Sequence, residues 1–270
     1  MFEASRSYYI KTDHILVPMF SGITSIKALT MAFDLAKKYN SELTAITVRE
    51  RNDSIEWSNS VTLVKNAYKD GKRVNIKVVP KVSTYDSVKT GLVKEVSSRY
   101  YDLLLMATHK RSLLSPSLFG NIGDYVLKNS PIPLILLNIN ERKYPYEKIV
   151  LPVSEGVNTR AAVFFAMEMA KMNRARLVIL DLRKYDKKKT HGFKMLFDNI
   201  GEISKDISVS VIKSEDNTGI KEEIQSIIKR ESPDCVVIGT RNMPRGKYRI
   251  NSDIKYIAKY LGVDTVLIKK

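Results

Sequence analysis

One pattern occurs twice in this sequence, and that repeat restricts the fold more than any other feature. HILVPMFSGITSIKALTMAFDLAKKYNSELTAITV, from His14, lies over KIVLPVSEGVNTRAAVFFAMEMAKMNRARLVILDL, from Lys148, without a gap at an offset of 134 residues. Pro18 meets Pro152, Gly22 meets Gly156, Lys37 meets Lys171 and Leu43 meets Leu177. Ala28, Ala32 and Ala36 meet Ala162, Ala166 and Ala170. A spacing of four puts small side chains on one stripe of a helix, which lets its backbone lie close to a sheet. The match resumes where YYDLLLMATHK from Tyr100 meets SPDCVVIGTRN from Ser232, and again in the closing runs PIPLILL and GVDTVLI. The offset slips by a few residues there, as shortened loops would cause. The reading is two copies of one domain, over 1–142 and 143–270, joined by a polar junction near Asn140–Tyr146.

Each copy alternates short continuous apolar runs with helical patterns. The first copy predicts strands over Ile15–Pro18, Leu43–Val48, Asn75–Val82, Leu103–Ala107 and Leu134–Leu137. Its helices fall at about Ile23–Tyr39, Ser58–Asp70, Ser87–Tyr100 and Asn121–Asn129. The second predicts strands over Ile149–Val153, Leu177–Leu182, Ser208–Lys213, Cys235–Gly239 and Thr265–Ile268. Apolar runs without polar alternation suit strands covered on both faces. The fold class is therefore α/β: two doubly wound parallel-sheet domains of five strands each, with a tandem pseudo-two-fold repeat. Ligands of such sheets bind beyond the carboxyl ends of the strands, where strand order reverses. That draws attention to Met19–Gly22, Thr108–Asn121, Ser154–Gly156 and Thr240–Asp253.

Charge narrows the choice of partner. Residues up to Lys143 hold 21 Lys+Arg against 13 Asp+Glu, and those after it 24 against 16, so each half contributes +8 to the net +16. No separate basic tail produces the excess, and its plainest reading is a solvated face, with nucleotides and other polyanions as partners it favours. The single cysteine, Cys235, excludes an internal disulfide and reads as a small buried strand residue. MFEASRSYYIKTDH lacks the apolar core of a secretory signal, and no apolar run reaches the roughly 18–20 residues of a membrane span. A cytoplasmic protein is the expectation.

The residues that carry chemistry are few. His14, His109 and His191 are scattered, with no HExxH, GxSxG, Walker A or GxGxxG sequence. Asp102 and Asp234 precede their strands, at the end opposite the ligand crevice. No catalytic residue and no metal ligand is assigned, and the expectation is a protein that is not an enzyme. FSGITS, Phe20 to Ser25, faintly resembles the SGGxDS loop of ATP pyrophosphatases, but Ile23 and Thr24 replace the glycine and acidic positions. Trp57 and the many tyrosines are not interleaved with Lys and Arg in a stripe, so packing is favoured over stacking on nucleic acid.

ILVP followed by a helix of small residues, the ELTAITV strand, DLLLMATHKRS, and Gly120-Asn121…VLKNSPIPLILL together resemble the universal stress protein family in its tandem form. The resemblance implies a Rossmann-like fold of the adenine nucleotide alpha hydrolase kind, a stress-response role, and ATP or AMP as candidate ligand. It also implies dimer-like pairing of fifth strands, here Leu134–Leu137 and Thr265–Ile268, a homo-oligomer, and an unidentified protein partner. ATP-binding members carry Gly, two residues, Gly, nine residues, Gly and then Ser or Thr after the fourth strand. Glycines let backbone N–H groups approach phosphates, and the last pair opens a helix whose N-terminus favours anions. In the first copy those positions are Ala107, Lys110, Gly120 and Asn121, with Thr108, His109 and Arg111 beside them. In the second they are Gly239, Asn242 and Asn251 or Ser252, with Thr240 and Arg241 beside them. The family's acidic residue after the first strand corresponds to Phe20 and Ser154, so both copies lack it. Lys110, Arg241, Arg245 and Lys247 offer side-chain charge in place of backbone donors. The expectation is an anionic nucleotide held in one or both crevices. A basic nucleic-acid or polyanion module is the alternative, and an ATP pyrophosphatase-like enzyme a lesser one.

Overall fold

A computed structural model of the chain describes residues 10–51, 57–98, 100–109, 115–140, 143–186, 193–214, 218–240 and 250–270. The described residues form two compact units, the first within 10–140 and the second within 143–270. The first has strands β1 (His14–Pro18), β2 (Glu42–Glu50), β3 (Val78–Tyr85), β4 (Leu103–His109) and β5 (Leu134–Ile139). Its helices are α1 (Ile23–Tyr39), α2 (Trp57–Arg73), α3 (Val88–Val96) and α4 (Gly120–Asn129). The second unit has β6 (Lys148–Val153), β7 (Arg176–Asp181), β8 (Val209–Lys213), β9 (Cys235–Thr240) and β10 (Asp264–Lys269). Its helices are α5 (Arg160–Asn173), α6 (Lys194–Asp198), α7 (Ile200–Ile203), α8 (Ile220–Glu231) and α9 (Ser252–Tyr260), with a 3-10 turn at Arg183–Tyr185.

Both units have the same topology. Strands run β3-β2-β1-β4-β5 in the first and β8-β7-β6-β9-β10 in the second, and neighbouring strands within each are parallel. Right-handed crossovers place the first two helical connections on one face and the last two on the other. The central strands are sealed on both faces: Leu16, Leu104, Ile135, Val150, Val237 and Leu267 are fully buried. The two alanine stripes are buried too, and they let α1 and α5 lie against their sheets. Cys235 is buried in β9. No helix among the described residues is long and apolar enough to cross a membrane.

The repeat extends to polar details at the amino ends of the strands. Asp102 accepts the His14 N–H at 3.0 Å, and Asp234 accepts those of Glu147 and Lys148 at 2.6 and 2.9 Å. Each carboxylate pins the start of its unit's first strand, away from the ligand end. The strands that begin each order, β3 and β8, carry Pro80 with Lys81 and Lys213 respectively, residue types that blunt an open strand.

Most bounds shift by one to three residues, and three elements differ in a way that local contacts and burial explain. β3 begins at Val78, because Asn75 turns left-handed (φ 58°) and the Ile76 N–H closes onto Gly71 O at 2.8 Å. Gly71 has no room for a Cβ beside Val78, so the end of α2 and the start of β3 are locked together. Helix α3 is shorter than Ser87–Tyr100, since Ser87 is its cap, accepting the Thr90 N–H, and the helix ends at Val96. In the second unit the expected second helix is broken into the 3-10 turn, α6 and α7. Helix α2 buries Ser60, Val64, Ala67 and Gly71 at helical spacing, whereas the matching region buries Phe193, Leu196 and Ile207 without such a period.

Candidate functional site

In the first unit the strand order reverses between β1 and β4, and a cavity of about 420 Å³ opens there at the carboxyl ends of the strands. One wall is the β1–α1 turn with Phe20, Ser21 and Thr24; the other is the end of β4 and the start of α4. The turn is tied down locally. Met19 N–H donates to Ile46 O at 2.7 Å, Phe20 N–H donates to Ser25 Oγ at 2.8 Å, and Gly22 (φ 109°) redirects the chain into α1.

The opposite wall is built on Asp124. Its carboxylate accepts Ser117 Oγ–H at 2.7 Å and the N–H groups of Leu118 and Phe119 at 3.1 and 3.0 Å. Phe119 is buried beneath, and a Cβ on Gly123 would lie 2.8 Å from the Phe119 Cβ. Gly120 takes a positive φ of 77° to start the helix. The first turn, Gly120-Asn121-Ile122-Gly123, holds no acidic residue and lines the cavity. Helix-start N–H groups without intrahelical partners, at the positive end of the dipole, favour an anion. Ala107, Thr108, His109, Gly120 and Asn121, all singled out from the sequence, are brought together around this cavity. Lys110 and Arg111 lie outside the described residues. Phe20, Ser21, Ser115, Ser117 and Phe119 come from the stretches Met19–Gly22 and Thr108–Asn121 marked from the sequence, whereas Thr24, Met106, Ile122 and Gly123 were missed as lining residues. The spacing of Ser117 to Asp124 was the available signal for the second wall.

The corresponding place in the second unit is built differently among its described residues. Helix α5 begins at Arg160, three residues later than the repeat with α1 requires, and the spared residues form a turn over 154–159. Ser154 O accepts the N–H groups of Val157 and Asn158 at 3.3 and 3.0 Å. Asn158 Nδ2 donates to Pro152 O and Val237 O at 2.9 and 3.1 Å, and Gly239 N–H donates to Val157 O at 3.2 Å. Val157 is fully buried. A Cβ on Gly239 would lie 2.5 Å from Thr159 Oγ1 and 2.7 Å from both Thr159 N and Ala162 Cβ, so helix packing accounts for this glycine. Asn251 caps α9 by accepting the Asp253 N–H, and its Nδ2 donates to Gly156 O at 2.8 Å, which joins the two walls. Thr240 is buried, and Ser252 Oγ lies 3.3 Å from Asn251 Oδ1. Arg241, Asn242, Arg245 and Lys247 lie outside the described residues.

Further polar groups tie down the rim of this second place. Asp186 accepts the Glu155 N–H at 2.8 Å, and burial, with neighbouring Glu155, pushes its carboxyl above the ordinary value. Glu223 accepts from Tyr185 Oη at 3.1 Å and from Ser214 Oγ, with Lys184 Nζ at 3.3 Å; Tyr185 Oη in turn accepts the Gly219 N–H at 3.2 Å. No group of three or more metal-ligating side chains is present among the described residues.

Residues 11–138 match the profile of the Universal stress protein family. The fold is similar to that of a protein of unknown function from Pseudomonas aeruginosa, with a TM-score of 0.65 and 16% identity, over 96% of this chain and 92% of that one. It is also similar to a universal stress protein from Archaeoglobus fulgidus, with a TM-score of 0.61 and 15% identity, over 96% and 99% of the two chains. No curated protein matches in sequence.

Proposed function

We propose a non-enzymatic stress-response protein of the universal stress protein type that holds an adenine nucleotide in its first unit alone, a reading supported by the match of residues 11–138 to that family's profile. The observation that carries this reading is the cavity at the switch point, bounded by Phe20–Thr24 and by the carboxylate-free first turn of α4. Phosphate oxygens meet the N–H groups of Gly120 and Asn121, helped by the hydroxyls of Ser21 and Thr24. Phe20 and Ile122 offer apolar surface to a base. With one of three loop glycines retained and no carboxylate after β1, contacts are fewer than in a complete motif, and binding is weak. The reading assigns no ligand to the second unit, supported by the turn that begins at Ser154 and by the Asn251–Gly156 hydrogen bond, which the first crevice lacks among its described residues. ATP or AMP is the ligand class, the location is cytoplasmic, and a second copy of the chain or a protein partner reads the loaded state.

Calorimetric titration of the full chain with ATP and AMP at low salt tests the reading. Heat and a thermal shift are expected, lost in Gly120→Val, where a β-branched residue is strained at positive φ, and kept in Asn251→Ala. Absence of heat and of any thermal shift at millimolar ligand defeats it. Sedimentation that shows only monomer across the micromolar range defeats self-association.

A further inference from the structure

In the second unit α8 and α9 pack side by side on the face opposite α5. Tyr256 and Tyr260, one turn apart on α9, stack with ring centroids 5.2 Å apart and planes 21° from parallel. Tyr260 is 53% exposed, so one ring of the stack meets solvent. Lys221 of α8 places its Nζ 5.8 Å from the Tyr256 centroid, and Lys259 lies 5.9 Å from that of Tyr260. The Tyr256 hydroxyl donates to Gln225 Oε1 at 3.2 Å, which fixes the inner ring between the helices.

The charge on this face is positive because its carboxylates are partly engaged elsewhere. Glu223 is turned inward to Tyr185, Ser214 and Lys184, and Glu231 faces Lys148 and Arg176. Arg230 Nε also lies 3.6 Å from Glu231 Oε1, and Glu222 and Asp253 are then set against Lys221, Lys229, Lys255 and Lys259 on the same two helices. The first unit repeats one contact: Lys89 of α3 lies 5.4 Å from the ring of Tyr125 on α4, at the places of Lys221 and Tyr256. The stack belongs to the second unit, since Asn129 stands where Tyr260 does and its Nδ2 donates to Tyr125 O at 2.7 Å.

We propose that the α8–α9 face is a docking platform for single-stranded nucleic acid, with a base stacked on the outer face of Tyr260 and the lysines meeting phosphates. Stacked exposed aromatics supply a π surface that any base can cover, and flanking ammonium groups follow the backbone charge. A polyanion without bases would use the lysines and leave the stack idle. The platform shares no residue with the cavity of the first unit, so it stands or falls independently of nucleotide binding there.

Fluorescence anisotropy of labelled 12-nucleotide oligo(dT) and oligo(U) with the full chain at low salt tests this. Tyr260→Ala is expected to weaken binding roughly 5- to 150-fold, the loss of one stacked base, while Tyr260→Phe binds as wild type. Lys221→Gln with Lys259→Gln is expected to lower the slope of log K against log salt by about 1.4. Circular dichroism and the thermal midpoint of each variant confirm that it folds. Absence of binding at low salt, equal binding by Tyr260→Ala, or competition by inorganic polyphosphate as effective per charge as unlabelled oligonucleotide overturns the proposal.

Discussion

Gly239 separates the two ways of reading the second unit. As a phosphate-cradle glycine it would tolerate alanine with little effect on stability and change only ligand binding. The structure instead puts the missing side chain against Thr159 Oγ1 at 2.5 Å and Thr159 N and Ala162 Cβ at 2.7 Å. Two of those three atoms belong to the residue that caps α5, whose side chain accepts the Ala162 N–H. Gly239→Ala must therefore push α5 off β9 or rotate its cap away. Overpacking by one methyl costs about 1–3 kcal/mol, and loss of a threonine cap about 0.5–2 kcal/mol. The combined cost is roughly 1.5–5 kcal/mol, on the order of 5–20 °C in the unfolding midpoint of a unit of this size. Differential scanning calorimetry with and without AMP measures both properties in one experiment. The variant is expected to unfold earlier while the ligand-induced shift in the first unit is kept. A wild-type midpoint, or a wild-type midpoint with the ligand shift abolished, would refute the packing argument and restore Gly239 as a ligand residue.

Asp124→Ala removes the acceptor for Ser117, Leu118 and Phe119 and is expected to destabilise the first unit by about 1–3 kcal/mol, with Asp124→Asn intermediate; urea denaturation checks the order. Tyr146→Phe deletes the hydroxyl that donates to buried Asp264 at 2.9 Å, a hydroxyl that burial keeps protonated well beyond the ordinary tyrosine range. A loss of about 1–3 kcal/mol is expected, seen as a lower urea midpoint at unchanged slope. Glu95 tests acid sensitivity. Burial would raise its carboxyl, but hydrogen bonds from Lys81, Tyr85 and Ser83 outweigh this and hold it below the ordinary value. A depressed folded-state value means that its stabilisation is present above about pH 4.3, the unfolded range, and is lost as pH falls through the folded value. Glu95→Gln should therefore melt below wild type at pH 7, and the gap should close toward pH 3; a gap constant with pH contradicts this.

The sequence disclosed most of the fold because a repeated core leaves a strong trace. Buried parallel strands read as apolar runs such as LLLMA and CVVIG, and the alanine stripes identify the helices that press on them. Boundaries slipped where single residues decide them: Asn75 turning left-handed delayed β3, and Ser87 acting as a cap rather than a helical residue shortened α3. The first-unit crevice was legible through Gly120-Asn121 and the end of β4. The different build of the second was not, because it depends on α5 starting three residues late and on Asn251 reaching Gly156, a contact between residues 95 apart. The lysine–tyrosine pairs were hidden for the same reason. Lys221 and Tyr256 share no sequence stripe and meet only because α8 and α9 are neighbours.

The unequal crevices are tested most directly by hydrogen–deuterium exchange of the full chain with and without millimolar AMP or ATP. Slower exchange is predicted over residues 20–24 and 117–123, which line the first-unit cavity, with no change over 154–159 and 251–254. Protection at 154–159 and 251–254 in place of the first-unit walls, or no change anywhere at that concentration, would contradict the account.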